Sequence, residues 1–176
     1  MRTLWIGLLL GVLAPTAMAA SDTQAQLREL FFEAAREGST EQLGVFIDAH
    51  YNLDSRDDKG YTALILAAYH GQQPAVDQLL AAGANPCAQD NRGNTALMGA
   101  IFKGELRIAQ RLLKADCSPD TRNTSGQTAA MYAALFQRQE ILQALAAKGA
   151  DLNARDAMGN DVASLKKGEF AHKLQP

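Results

Sequence analysis

Few residues of this chain have the types and spacing needed for chemistry. Its three histidines, His50, His70 and His172, are scattered along the 176 residues. No carboxylate or nucleophile stands at a spacing that would bring it into hydrogen-bond contact with them, so there is no catalytic triad, zinc pair or phosphate loop in the pattern. The sequence therefore predicts a non-enzymatic protein that uses no metal and no cofactor.

The elements that must position these residues follow a strict period. Glycine recurs every 33 residues, at Gly60, Gly93, Gly126 and Gly159. The first three open related phrases, DDKGYTALILAA, DNRGNTALMGAI and NTSGQTAAMYAA. Each phrase has a turn glycine, a threonine and a short apolar helix, and a second amphipathic helix follows it in every period. The chain is therefore predicted to be a stack of helix pairs.

A second set of glycines separates the two helices of each pair. Gly71 and Gly104 fall where the first helix must stop, because a backbone with positive φ is least costly for glycine. Gln137 takes the same place in the next unit. This departure predicts a distorted turn there.

The period and the phrase resemble the ankyrin repeat, whose usual phrase is G-x-T-P-L-H-x-A-A. The resemblance implies an all-α solenoid of stacked helix pairs joined by extended hairpin loops. This chain has alanine in place of the proline, and Ile65, Met98 and Met131 in place of the histidine. We expect these three apolar side chains to pack in the core.

Counting by the period divides the chain into units. A degenerate unit at 25–57 is predicted as an N-terminal cap, and full repeats follow at 58–90, 91–123 and 124–156. Residues 157–176 are predicted as a C-terminal cap with one helix. Lys166 and Lys167 stand there at positions that are apolar in the inner repeats, as a solvent-facing cap requires.

The N-terminus has the pattern of a signal peptide. Arg2 precedes an apolar run from Leu4 to Leu13, and the small-residue segment Ala17-Met18-Ala19 follows. The run is too short to span a bilayer, which makes an anchoring helix the weaker alternative. We predict a signal peptide at 1–19, an ankyrin-repeat domain at 20–176, and no membrane segment after cleavage. The resemblance favours the bacterial periplasm as the destination.

The two cysteines and the acidic residues have simple interpretations in a repeat stack. Cys87 and Cys117 follow second helices in successive repeats, so they are expected to be neighbours. The sequence allows two alternatives: a disulfide between them in an oxidising compartment, or two independent free thiols. Asp57, Asp58 and Asp90 occupy hairpin positions that ankyrin repeats fill with Asp or Asn, and we interpret them as solvated or turn-forming, with partner contact as the alternative.

The charge balance narrows the class of partner. Lys and Arg number 17 against 19 Asp and Glu, which gives a net charge of −2. Nucleic acids and anionic membranes require basic patches, so this balance disfavours both. We expect a monomer that binds another protein.

In the ankyrin family, the hairpin tips and the exposed side of the first helices form a concave surface that contacts partners. Carried over by register, this surface contains an aromatic near the end of each first helix. The alternative is that these rings fold under the loops and complete the core. Tyr61, at a hairpin tip with little core to enter, is the sharpest candidate. The predicted partner-binding residues are Tyr61, Tyr69, His70, Arg92, Phe102, Lys103 and Phe136.

The chain resembles in particular the small exported ankyrin-repeat proteins of Gram-negative bacteria, some of which are associated with periplasmic catalases. The resemblance implies an adaptor that supports a partner enzyme, such as a catalase, in peroxide defence. One alternative is an immunity or inhibitor protein that blocks a toxic periplasmic enzyme. Another is an enzyme or a haem carrier that uses His70.

Overall fold

The computed structural model describes residues 16–170, with side chains from residue 23 onward. Within these residues the fold is all-α, and Gln89 and Thr95 form an isolated antiparallel bridge. No helix in this part is long and apolar enough to cross a membrane. The helices are α1 (Thr16–Glu37), α2 (Thr40–Asp48), α3 (Ala63–Tyr69), α4 (Gln73–Ala81), α5 (Ala96–Lys103), α6 (Leu106–Leu113), α7 (Ala129–Leu135), α8 (Gln139–Ala147) and α9 (Val162–Lys167).

Some of the sequence predictions fall at the ends of the chain. The apolar run of the predicted signal peptide, His172 and the end of the C-terminal cap lie outside the described residues. Helix α1 begins at Thr16, before residue 25, where the sequence analysis placed the start of the N-terminal cap.

The helices form two rows. The first helices pack in the order α1, α3, α5, α7 and α9, and the second helices pack in the order α2, α4, α6 and α8. Each pair also packs internally, as α3 does against α4. Ile65, Met98 and Met131 are at most 4% exposed, which confirms that apolar packing replaces the histidine of the family phrase. The all-α solenoid is thus the observed architecture.

A threonine determines where each inner first helix begins. The hydroxyl of Thr62 is the N-cap of α3 and accepts a hydrogen bond from the backbone N–H of Ile65, at 3.3 Å. Thr95 and Thr128 cap α5 and α7 in the same way. This bond satisfies a backbone donor that the helix leaves free, so the repeated threonine fixes the register of the row.

The hairpin tips are held by an acidic or amide side chain. Oδ1 of Asp57 accepts from the N–H groups of Lys59 and Tyr61, at 2.9 and 2.8 Å. Equivalent pairs of bonds are made by Asp90, Asn123 and Asp156. The turn-forming interpretation of Asp57 and Asp90 is therefore confirmed. Neighbouring tips are also joined, because the N–H of Asn91 donates to the carbonyl of Lys59 at 3.0 Å, and later tips do likewise.

The turn at Gln137 is not distorted, so that prediction was wrong. Gln137 adopts φ 57°, close to the φ 81° of Gly104. Its N–H donates to the carbonyl of Ala134 at 3.2 Å, and the N–H of Arg138 donates to that of Ala133 at 2.8 Å. The same two bonds close the turn at Gly104. The turn keeps its shape because these bonds hold glutamine in the left-handed region.

Candidate functional site

The ends of the first helices carry a row of aromatic rings. Tyr69 ends α3, Phe102 lies one residue before the end of α5, and Phe136 is the C-cap of α7. The Tyr69 and Phe102 rings are nearly parallel, 12° apart, with centroids at 6.1 Å. Phe102 meets Phe136 edge to face at 5.1 Å. The 33-residue period thus places rings from three repeats in contact; we call Tyr69, Phe102 and Phe136 the aromatic row.

Exposure differs along the aromatic row. Tyr69 is 39% exposed and Phe102 is 45% exposed, so these rings do not fold into the core. Phe136 is half-buried. Tyr61 is also half-buried and packs against the core, contrary to the expectation that a hairpin tip offers it little core to enter. Burial is the main cause that raises the pKa of the Tyr61 hydroxyl above its ordinary value.

Positive charge borders the aromatic row. Nζ of Lys103 lies 5.0 Å from the centroid of the Tyr69 ring, within the range of a cation–π interaction. The His70 ring lies 5.6 Å from the same ring. Arg92 is exposed on the neighbouring hairpin tip. Among the described side chains, no ion pair includes Lys103 or Arg92.

Tyr132 belongs to this surface and was missed by the sequence analysis. Its hydroxyl donates to Oδ1 of Asn94 at 3.1 Å and accepts from Nδ2 of Asn123 at 3.3 Å. Burial raises its pKa, although the bond from Asn123 acts in the opposite direction. The repeat register could have located Tyr132, because it stands two periods, or 66 residues, after Leu66. Leu66 occupies the same position in the first full repeat and is buried there.

The charged part of the surface continues beside α3. A groove of about 480 Å³ lies there, and Tyr61, Tyr69 and His70 are among the residues that line it. Arg28 and Asp58 also line it and form an ion pair at 3.5 Å. Within residues 23–170, no group of three His, Cys, Asp or Glu side chains could hold a metal ion. The predicted surface residues are thus brought together along α3, α5 and α7.

The cysteines lie apart from this surface, in the loops that follow α4 and α6. The structure joins Cys87 and Cys117 in a disulfide with a sulfur–sulfur distance of 1.97 Å. Their Cα atoms are 5.6 Å apart, within the separation that the bond requires. Their offset within the repeat is therefore compatible with pairing.

The architecture agrees with a comparison of the sequence against models of known protein families. Residues 31–123 and 83–156 match the model of the family described as ankyrin repeats (3 copies). Together these matches cover more than half of the chain, and the chain belongs to the ankyrin-repeat family. Members of this family are typically non-enzymatic, and the repeats indicate a protein–protein interaction module.

Two curated plant proteins share similarity with a short part of the chain. One is the calmodulin-binding transcription activator CBT of Oryza sativa subsp. japonica, 49% identical over 49 residues. The other is the calmodulin-binding transcription activator 5 of Arabidopsis thaliana, 47% identical over 49 residues. Each match covers 28% of this chain and 5% of the relative's length, so the similarity extends over a small part of those proteins.

Proposed function

We propose that this protein is a non-enzymatic binding module of the bacterial periplasm that holds a partner protein against its aromatic row. The observation that carries the proposal is the exposure of Tyr69 and Phe102 in one continuous row beside Lys103 and Arg92, which form no ion pair with the described side chains. Exposed aromatic rings next to cations are typical of binding hot spots, because they bury a large area and freeze few rotors.

The rigidity of the surface supports the same function. The hairpin tips are joined to one another by backbone hydrogen bonds, and the rings stand on helices whose first turns are capped. A surface that is ordered before binding pays less conformational entropy when the partner arrives. The scaffold is therefore suited to present the rings rather than to reorganise around a substrate.

The proposed compartment is supported by the cysteines and by the N-terminal pattern. Disulfides persist in oxidising compartments and are rare in the cytosol, and the bond between Cys87 and Cys117 fits the former. The signal-peptide pattern at residues 1–19 favours export. Resemblance to exported ankyrin-repeat proteins adds the proposal that the partner is an enzyme of peroxide defence, such as a catalase.

Affinity capture from a Gram-negative periplasmic extract tests this function. The bait is the chain without the predicted signal peptide, residues 20–176, compared with a Tyr69→Ala, Phe102→Ala, Phe136→Ala variant. A matched control, Arg107→Ala, Gln110→Ala, Lys114→Ala, alters exposed residues around α6. All baits are first compared by circular dichroism and thermal melting.

We expect one protein to be captured by the wild type and the α6 control, with at least about tenfold less on the aromatic variant, since hot-spot truncations each cost about 2 kcal/mol or more. Peroxide sensitivity on deletion supports the adaptor proposal. Capture of a toxic enzyme with loss of its activity favours the inhibitor instead. Equal capture by all baits rejects the aromatic row as the site, and no capture by the wild type counts against the binding function.

A further inference from the structure

One position of the repeat changes size along the concave surface. Leu66, Gly99 and Tyr132 share a register, one in each full repeat. Leu66 is 5% exposed and fills its place, whereas Gly99 has no side chain to do so. A Cβ at Gly99 would meet the Tyr69 ring and Cβ at 3.7 and 4.0 Å, which is ordinary van der Waals contact. The middle repeat therefore lacks the side chain that occupies this position in the preceding repeat.

This space is a small groove, which we call the Gly99 slot. The residues that line it include Met98, Gly99, Tyr69, Phe102 and Tyr132. Its volume is about 200 Å³. Small-molecule sites usually have volumes of about 300–1,000 Å³. The Gly99 slot is thus better matched to a single side chain than to a cofactor.

The walls of the slot are rigid and aromatic. The Tyr132 hydroxyl is held by Asn94 and Asn123, which come from two different hairpin tips. On the other side, the Tyr69 ring stacks on Phe102, and the Lys103 ammonium group lies 5.0 Å from its centroid. Aromatic rings prefer to pack against another ring in offset or edge-to-face geometry. The free energy of such a pair exceeds what the buried apolar area alone would contribute.

The exposed charged side chains at and beside the slot, Arg92 and Lys103, are cationic, whereas Asp90 is only 8% exposed. Asp90 also lines it, but both carboxylate oxygens already accept hydrogen bonds from Asn94 and one also accepts from Arg92, within their own turn. The Arg92 guanidinium is in no ion pair among the described residues, and the same is true of Lys103. These two exposed cations carry the sign opposite to the chain's net charge of −2. An acidic segment is the complement.

We propose that the Gly99 slot receives one aromatic side chain of the partner protein, from a segment in which acidic residues flank that aromatic. This inference rests on the proposed binding function. The ring enters between Tyr69 and Tyr132, and the flanking carboxylates pair with Arg92 and Lys103. The partner is thereby selected for both an aromatic anchor and negative charge beside it.

The first test uses a defined probe, an acetylated and amidated pentapeptide with one tryptophan between two pairs of glutamates. It is titrated into the ¹⁵N-labelled full chain, and the amide shifts of Gly99 and Phe102 are followed. Two further peptides replace the tryptophan by alanine or the glutamates by lysines. We expect the glutamate–tryptophan peptide to bind at least about tenfold more tightly than either of them.

Two variants test the slot and the charge separately. Gly99→Leu introduces the side chain that Leu66 supplies in the preceding repeat, and should weaken binding of the probe about tenfold or more. The smaller substitution Gly99→Ala should leave most of the slot open and most of the affinity unchanged. Arg92→Glu alters an exposed side chain and should reverse the preference toward the lysine peptide. This second variant keeps the test decisive if Gly99→Leu does not fold.

Absence of probe binding to the wild type, or equal binding of all three peptides, overturns the inference. So does unchanged affinity in both Gly99→Leu and Arg92→Glu. The periplasmic capture separates this failure from that of the proposed function. If Gly99→Leu still captures the partner and the aromatic-row variant does not, the slot is rejected and the binding function stands. If the wild type captures nothing, the binding function itself fails.

Discussion

Gln137 occupies a backbone conformation that glycine provides in the two preceding repeats. Its φ of 57° lies in the left-handed region, where an ordinary residue is disfavoured by about 1–2 kcal/mol. Its side chain offsets part of this free energy, because Nε2 donates a hydrogen bond to the carbonyl of Lys166 at 3.1 Å. The bond is exposed to solvent, which limits what it contributes. Among the turns that join the first and second helices, Gln137 is therefore where backbone strain is concentrated.

Gln137→Gly is expected to raise the free energy of unfolding by about 0.5–1 kcal/mol. Relief of the left-handed strain exceeds the added entropy of a glycine in the unfolded chain. Urea unfolding followed by circular dichroism measures the change. Gly104→Ala is the matched control in the preceding repeat and should lower the same free energy by about 1 kcal/mol. A less stable Gln137→Gly variant would contradict the argument.

At the scale of elements, the disulfide connects loops that belong to different helix pairs. Cys87 lies in the loop after α4 and Cys117 in the loop after α6, 30 residues later. The enclosed segment contains the whole of α5 and α6. A link across this segment reduces the number of conformations open to the unfolded chain, and it also holds two successive repeats in register.

Reduction of the bond between Cys87 and Cys117 is expected to lower the free energy of unfolding by about 3–4 kcal/mol, from the entropy of closing a loop of this length. Denaturation with and without a phosphine reductant measures the difference. The Cys87→Ala, Cys117→Ala variant should resemble the reduced protein and should not respond to the reductant. A wild type whose unfolding midpoint ignores the reductant would show that the bond does not stabilise the fold.

At the scale of the whole molecule, the stack has two ends, and its apolar core runs from α1 to α9. Helix α9 packs against α7, and Leu165 on it is 3% exposed. At the other end, Phe31 and Phe32 of α1 are fully buried. Because each unit in such a stack contacts its neighbours alone, local stability depends on distance from the ends.

Leu165→Ala is expected to cost about 2–5 kcal/mol of local stability, because it removes buried methyl groups at the end of the stack. The loss should be confined to the nearest units. Hydrogen exchange should therefore accelerate in α7, α8 and α9, with little change in α3 and α4. Lys166→Ala, an exposed neighbour on the same helix, is the control and should leave the pattern unchanged. Uniform acceleration along the chain would show that the molecule unfolds as one unit.

The sequence by itself determined the repeat and most of the features that shape it. The period, the capping threonines, the turn glycines and the acidic turn residues are local signals, and each acts within a few residues of its own position. The burial of Ile65, Met98 and Met131 was predicted from their position in the repeat and their apolar side chains. Register also located the aromatic row, since equivalent positions of successive repeats stack beside one another.

Only the tertiary structure decided how the side chains of different repeats meet. It placed the Tyr69 and Phe102 rings in the open and the Tyr61 ring partly in the core. It also brought Tyr132 to hydrogen-bond distance of Asn94, 38 residues away, and left a groove of about 200 Å³ beside Gly99. These outcomes depend on the distance and rotation between neighbouring units. A one-dimensional period gives the order of the units, whereas packing between them sets ångström-scale separations.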